Sequence, residues 1–493
     1  MKLGIDFGTS FSLPATSYLG QNIVLLPGGR YGIPSVFYYS EWDGVLIGEE
    51  AEEAGQGLDA KNLKREIKLE LNSMFTADSK TFTAKQIVGY ILNSVKQNAI
   101  ETAKTKLIDD HLDGVVISVP AAFEHNEKAF IREAAEIPTA QGGPQLKVLG
   151  LIKEPVAAAL AYFNISLADK TKILVYDLGG GTCDIAIVEA NCASKEKYTV
   201  VDSDMLRIGG KNWDAKLETY IIHELEKQTG LSIYGNPGYR EKIKRAAISA
   251  KHSFSEKVGS NYRDRVRARV EVNGRTYQIP LTKVIFDELT LDLLNKTIDV
   301  TKKVLERNNA NGIDRIICVG GSSNMPQVQE GLKRAFPRKN IQVFEPEKAI
   351  AVGAAIYAQF CDGKDTFLSD TAAFSYGAVC LRDYDHPDDF IVVNLIKRGD
   401  RLPITQDYGF FTLQDGQTEV HFDVIENSNA VSKYDYEKGS ASPIMRVVLE
   451  FHKPMPKGTS VCLHMTLTTD GIIEVTADDK NGHTITARKQ LNY

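Results

Sequence analysis

The sequence predicts an α/β domain made of two related blocks, followed by an all-β sandwich. Three observations carry that expectation. A turn of the form apolar strand, Asp, apolar residue, Gly, then hydroxyl occurs twice, in residues 3–12 and 173–188. Each copy opens a stretch in which short β-branched runs alternate with helical apolar spacing, the pattern of parallel-rich sheets built by internal duplication. From Phe374 onward, helical periodicity gives way to alternating apolar positions and turn residues, as in a sandwich.

The bulk properties narrow the class. A chain of 493 residues, 43% hydrophobic and 25% charged, has room for two or three domains with full cores. A formal net charge of −6 argues against a nucleic-acid binder. Cysteines stand at positions 183, 192, 318, 361, 380 and 462 with no Cys-x-x-Cys, which suits reduced thiols and no zinc site. The N-terminus enters a strand directly and no apolar run is long enough to span a bilayer, so a cytoplasmic location without signal peptide is the expectation.

Taken in order, the first block opens with a strand ending at Asp6, turned by Gly8, Thr9 and Ser10. Residues 28–39 read as a loop and a strand. Residues 59–71 are charged and helix-prone and contain Lys64-Arg65, a pattern that most often marks a solvated face. Residues 84–107 place Ile87, Tyr90, Ile91 and Val95 at helical spacing. Val115–Val119 is a strand ended by Pro120, residues 124–136 a charged helix, and residues 148–152 another strand. Glu154-Pro155 then opens an alanine-rich helix, with Pro155 suited to its first turn.

The second block opens with the triple glycine Gly179-Gly180-Gly181, followed by Thr182. Glycines let backbone amides close on an anion, most often phosphate. Asp177 ends one strand and Asp184 begins the next, so two carboxylates flank that turn. Carboxylates beside a phosphate require a hard cation between them, which implies Mg²⁺. No Walker-type Gly-x-x-x-x-Gly-Lys-Ser/Thr is present. A Gly209-Gly210 turn, helices over 214–228 and 239–252, and a β-rich insert over 265–279 follow. A strand into Gly320-Gly321-Ser322 and a small-residue helix after Glu345 close the block. In the last part, Val461, Leu463, Met465 and Leu467 alternate, as do Ile473, Val475 and Ala477. Thr469-Asp470-Gly471 and Asn481-Gly482 are hairpin turn signals.

The two Asp-Gly turns, the Glu154-Pro155-x-Ala-Ala-Ala-Leu-Ala-Tyr162 stretch, the Val319-Gly320-Gly321-Ser322 turn and the β tail occur in an order that resembles the seventy-kilodalton heat-shock (DnaK-type) chaperones, as a short lidless member. The resemblance implies an actin-like ATPase domain of two duplicated ribonuclease-H-like lobes over residues 1–361. It implies a linker over 362–373 and a peptide-binding β-sandwich over 374–493 without a helical lid. It implies ATP/ADP and Mg²⁺, with K⁺ as a candidate second ion. Lys64, Glu154, Asp177 and Thr182 then fall on catalytic positions, and Asp6, Asp177 and Asp184 on metal positions, mostly through water. Gly8, Thr9, Ser10, Gly179, Gly180 and Gly181 fall on the phosphate loops. Gly210, Lys251, His252, Ser255, Gly320, Gly321, Ser322, Asn324 and Glu347 fall on the nucleoside end. Phe410, Leu413, Val420 and Phe422 fall near the peptide groove, although alternating apolar residues more often fill a sandwich core.

Several positions depart from the family pattern. Ile248 replaces a ribose-binding glutamate, and His252 and Asn324 replace adenine-stacking arginines, so weaker ATP binding with retained hydrolysis is expected. Gly150 and Lys153 replace the arginine and asparagine of the co-chaperone contact, and Lys128 replaces the partner arginine of the switch proline Pro120. The linker carries only Phe367 and Leu368 as large apolar residues. The expected partners are unfolded or extended peptides. A J-domain co-chaperone and an exchange factor are candidate partners with weak coupling, and neither nucleic acid nor membrane is expected. A sugar-type kinase and a non-chaperone scaffold on the same actin-like fold are the alternatives.

Overall fold

The computed structural model describes residues 1–28, 31–55, 61–121, 123, 125–138, 143–164, 170–191, 198–234, 237–258, 261–308, 312–361, 368–372, 374–383, 386, 388–427, 431–437, 443–468, 472–479 and 484–490. The chain divides into two compact units, the first within Met1–Phe367 and the second built mainly from Leu368–Tyr493. The division falls inside the expected linker. Residues 362–367 of that linker, and the turns at Asp470-Gly471 and Asn481-Gly482, lie outside the described residues. Beyond them, Leu368–Thr371 is a strand, paired antiparallel with Arg401–Leu402.

In the first unit two sheets repeat one strand order. The first runs Val148–Lys153, Gly114–Val119, Lys2–Phe7, Phe11–Tyr18, Gln21–Val24. The second contains, in the same sequence of roles, Asn340–Val343, Ile313–Val319, Lys170–Leu178, Cys183–Asn191 and Tyr198–Leu206. In both, the strand that ends on the aspartate has a parallel neighbour on one side and its antiparallel hairpin partner on the other. Parallel strands with helical crossovers are buried on both faces, and Gly114–Val119 is buried at every position.

Two helices of small residues pack on each other, one mainly against the first sheet and the other between the two sheets. Helix Glu154–Phe163 is buried along its whole length and crosses Ala349–Ala358. A methyl on Gly353 would fall 1.7 Å from the carbonyl oxygen of Ala157, and one on Gly4 would fall 2.0 Å from the amide nitrogen of Ala355. The alanines and glycines that looked permissive in sequence are therefore a contact requirement: a backbone approach this close leaves no room for a Cβ.

Residues 61–71 do not form the helix that the charge pattern of 59–71 suggested, and 59–60 lie outside the described residues. Leu63–Lys64 is a short strand beside Phe37–Ser40, and Ile67–Leu69 is a single 3₁₀ turn. Glu66 between them takes a left-handed φ of 59°. The fully buried Ile67 anchors this path; tertiary burial overrides local helix propensity here. The β-rich insert is a hairpin, Arg265–Val272 with Arg275–Thr282, turned at Asn273-Gly274, both with positive φ, as an Asn-Gly hairpin turn requires.

The second unit is a sandwich. One sheet runs Lys433–Asp435, Phe390–Ile396, Ser375–Leu381, Gln417–Asn427, Met445–Met455. The other runs Ile404–Phe411, Ser460–Leu467, Ile472–Asp478, Thr484–Gln490. Val461, Leu463, Met465 and Leu467 from one sheet and Ala378, Val424, Val447 and Leu449 from the other share one core. The alternation seen in sequence is thus the inner face of a two-sided sheet.

Candidate functional site

Two turns meet at the ends of the paired hairpins in the first unit. In the first, the Gly8 carbonyl accepts from the Ser35 hydroxyl at 2.8 Å, and the Ser10 carbonyl accepts from the Ser35 amide at 2.8 Å. In the second, the Gly179 amide donates to the Thr182 carbonyl at 3.0 Å and closes the triple-glycine turn. A methyl on Gly180 would fall 2.2 Å from Ser10 Oγ, and one on Gly181 would fall 3.0 Å from Thr9 Cγ2. The two glycine turns, far apart in sequence, are in van der Waals contact.

Four carboxylates gather behind these turns. Asp177 and Asp184 are directly opposed across the hairpin. The Ala121 amide, just past strand Gly114–Val119, donates to Asp184 Oδ1 at 3.2 Å, and Ser118 Oγ donates to Asp6 Oδ1 at 3.0 Å. The first block thus supplies donors to acids of both. Glu154 opens its helix at 6% exposure, with Asp177 at 3% and Asp184 at 1%. Loss of hydration, then the neighbouring Glu154 charge, push Asp6 and Asp184 up to about 7. The same two causes, with Asp184 and Asp6 added, raise Asp177 well above the carboxylate range. Buried like charges that raise each other's pKa cluster at functional sites.

The cation facing these acids is Lys68. Its ammonium donates to Glu154 Oε1 at 2.5 Å and to the Phe7 carbonyl, and it lies over the Phe7 ring at 5.5 Å. Lys64, the residue that sequence pointed to, is elsewhere: its ammonium is held by Glu70 at 2.5 Å, and Glu70 is itself half exposed. The left-handed Glu66 and the 3₁₀ turn after it carry Lys68 inward and leave Lys64 on the strand. The resemblance assigns Lys64 by position, and position alone does not contain the left-handed turn that follows it. The signal that could have separated them is Ile67-Lys68-Leu69, a lysine enclosed by apolar residues.

The nucleoside-end residues adjoin the same turns. The Gly210 amide donates to the Gly179 carbonyl at 2.9 Å, and the Lys211 amide to the Gly180 carbonyl at 2.9 Å. A methyl on Gly210 would meet Ser322 Oγ at 2.4 Å and Lys251 Nζ at 2.9 Å. Gly320, with a φ of 78°, lies so close to Asp177 that a methyl would fall 2.3 Å from Oδ1; only glycine suits both constraints. Gly321 is exposed beyond it. Lys251 is buried and committed, donating to Asp214 Oδ2 at 2.7 Å and the Gly210 carbonyl at 3.2 Å. Ser255 only bonds back to the Lys251 carbonyl, at 3.4 Å. Asn324 Nδ2 is 3.5 Å from Glu347 Oε1, and His252 and Glu347 are exposed. Asp214 is a polar contributor that sequence reasoning did not single out.

The groove candidates in the sandwich separate. Phe422 is 2% exposed and belongs to the core. Phe410 packs on it edge to face at 5.2 Å, and Tyr408 lies 4.9 Å from Phe410. Val420 is partly buried against the same core. Leu413 lies outside that cluster at 46% exposure. No described helix is long and apolar enough to cross a membrane. A family model described as Hsp70 protein matches residues 45–491 of the chain.

Proposed function

The chain belongs to the Hsp70 family, and from that premise we propose that it hydrolyses ATP at the paired glycine turns and binds extended peptide through its sandwich unit. The observation that carries this reading is the contact of the two turns in front of Asp6, Glu154, Asp177 and Asp184. Those hard oxygen donors, buried and starved of countercharge, fit Mg²⁺. Asp6, Asp177 and Asp184 would hold it, mostly through water, and when bound it supplies charge neutralisation to the phosphate oxygens.

The chain's own residues do the rest. The amides of residues 8–10 and 180–182 cradle the phosphates, as glycine turns do. Lys68, in place of Lys64, puts a fixed positive charge beside the transferred phosphoryl group. Glu154 and Asp177 accept hydrogen bonds from the attacking water and orient it, and Thr182, whose hydroxyl holds Asp184, stands beside the phosphate. Phosphoryl transfer needs positioning and charge compensation, so no covalent nucleophile is required.

The nucleoside end supports weaker ATP affinity. Lys251 is already bound to Asp214, and neither His252 nor Asn324 offers a guanidinium plane. Each lost stacking contact is worth ~1 kcal/mol. His252→Arg with Asn324→Arg should together restore ~2 kcal/mol and tighten ATP binding about thirtyfold; calorimetry showing no gain would reject this account of the weak end. Gly150 lies against Tyr357 and Cys361 and presents no basic side chain to a J-domain, which supports weak coupling.

ATP turnover with no acceptor but water, measured with and without an unfolded polypeptide, tests the reading. Phosphate release that responds to the polypeptide is expected. Turnover only with a small-molecule hydroxyl acceptor would establish the kinase alternative instead, and binding without turnover the scaffold.

A further inference from the structure

On the outer face of the second sandwich sheet, away from its shared core, polar side chains form a cross-strand ladder. Thr405 bonds Thr466 at 2.9 Å, Thr476 bonds Thr486 at 2.9 Å, and Arg488 meets Glu474 at 2.5 Å. Two adjoining outer-face rungs differ in chemistry. Cys462 and His464 lie two residues apart on strand Ser460–Leu467, so both side chains share its outer face. Asp478 is the direct cross-strand partner of Cys462 on one side, and Asp407 is that of His464 on the other.

A ligand atom from each of Cys462, His464 and Asp478 lies within 4.8 Å of the other two. His464 Nε2 is 2.6 Å from Asp478 Oδ2 and Nδ1 is 2.7 Å from Asp407 Oδ1. The residue opposite Cys462 on the remaining strand is Gly409, where an added methyl would meet nothing within 4 Å. No side chain stands over that face at Gly409.

We propose that Cys462, His464 and Asp478 form a binding site for a borderline-soft divalent cation of the Zn²⁺ class. A thiolate, an imidazole and a carboxylate are the donor types such an ion takes, and three protein ligands leave a fourth position for water. Metal–ligand distances of about 2.0–2.3 Å put neighbouring tetrahedral donors about 3.3–3.8 Å apart, within reach of half-exposed side chains on a rigid sheet. Asp407 is the positioning residue. By accepting from Nδ1–H it fixes the imidazole tautomer and leaves the Nε2 lone pair for the ion, the carboxylate–histidine–metal arrangement. Binding exchanges the Nε2–H···Asp478 hydrogen bond for metal bonds from both groups, and it releases two protons to solvent, that one and the Cys462 thiol proton. The sequence has no Cys-x-x-Cys, and the ligands come from two strands whose register alone brings them together.

The test uses the full chain, reduced and freed of metal with a chelator that is then removed. Titration with Co²⁺ should give one equivalent of tight binding with a thiolate-to-cobalt charge-transfer band. The band should vanish in Cys462→Ser and persist in Cys380→Ser, whose thiol lies at the core of the same unit. Zn²⁺ affinity, measured by competition with a chromophoric chelator, should fall at least tenfold in His464→Gln and about 10–100-fold in Asp407→Asn. Unchanged circular dichroism and melting temperature of the apo variants would keep these losses from being unfolding. Absence of a charge-transfer band in the wild type, or a band that survives Cys462→Ser, overturns the proposal. So does Zn²⁺ affinity indifferent to both His464→Gln and Asp407→Asn.

Discussion

Replacing Lys68 by methionine removes the ammonium that four carboxylates face while keeping the length of its stem. The side chains of Lys68 and Glu154 are 4% and 8% exposed, so the pair is desolvated. Breaking a buried pair from one side costs about 3–5 kcal/mol because the surviving charge is left uncompensated. Lys64→Met removes only a pair to the half-exposed Glu70 and should cost no more than ~1 kcal/mol. Urea unfolding followed by Trp213, fully buried in the first unit, separates that unit's transition from the sandwich. In single-turnover hydrolysis at saturating ATP, Lys68→Met should lose roughly 10²–10³ in rate, as for removal of one electrostatic stabiliser, and Lys64→Met should stay near wild type. A pH series sharpens the test. The metal-free Asp6 and Asp184 titrate near 7 in the folded state against 3.8 unfolded. The stability they contribute is fully present below the unfolded value and is lost as pH rises through about 7. Losing Lys68 raises these acids further, so acidification from about pH 8 to 6 should rescue the variant more than the wild type. If Lys64→Met abolished turnover while Lys68→Met kept both turnover and stability, the assignment of the buried lysine would be wrong.

Other perturbations follow from the same geometry. Gly180→Ala inserts a methyl between the two turns, 2.2 Å from Ser10 Oγ; ATP binding should fall at least tenfold in calorimetry, while the melting temperature moves little because a serine side chain can yield. Gly353→Ala meets backbone, the Ala157 carbonyl, which cannot yield; a loss of about 3 kcal/mol or more in urea is expected, and a neutral result would show that the two small-residue helices can separate. The Asp78 carboxyl is held below the usual range by donors from the Asn62 side chain and the Glu41 amide. Its contribution is present above 3.8 and lost as pH falls through the folded value, so Asn62→Ala should flatten the acid limb of a stability profile and leave the alkaline limb unchanged.

Much of this molecule was legible from local patterns, because those patterns are made by neighbours in sequence. The Asp177 and Asp184 pair flanks a tight turn, so one hairpin places both. The alternation of Val461, Leu463, Met465 and Leu467 reports the inner face of one strand. Pro155 and the alanines that follow describe one buried helix. What sequence misjudged or could not see depends on the path between elements. Lys64 and Lys68 are alike as text, and a left-handed residue with a 3₁₀ turn decides which one reaches Glu154. The groove candidates Phe410 and Phe422 carry no sequence signal that separates groove from core, although core is the commoner case, and the facing sheets pack them together.

By itself, then, the sequence determined the duplicated turns, the acids beside them and the β-rich tail, since hydrophobic period and glycine placement are local constraints on the backbone. Only the tertiary structure decided that Gly180 touches Ser10, that Lys68 rather than Lys64 faces the acids, and that Cys462, His464 and Asp478 converge on one sheet face. Those juxtapositions join residues distant in the chain, and they are fixed by burial and strand register, which no short window of sequence contains.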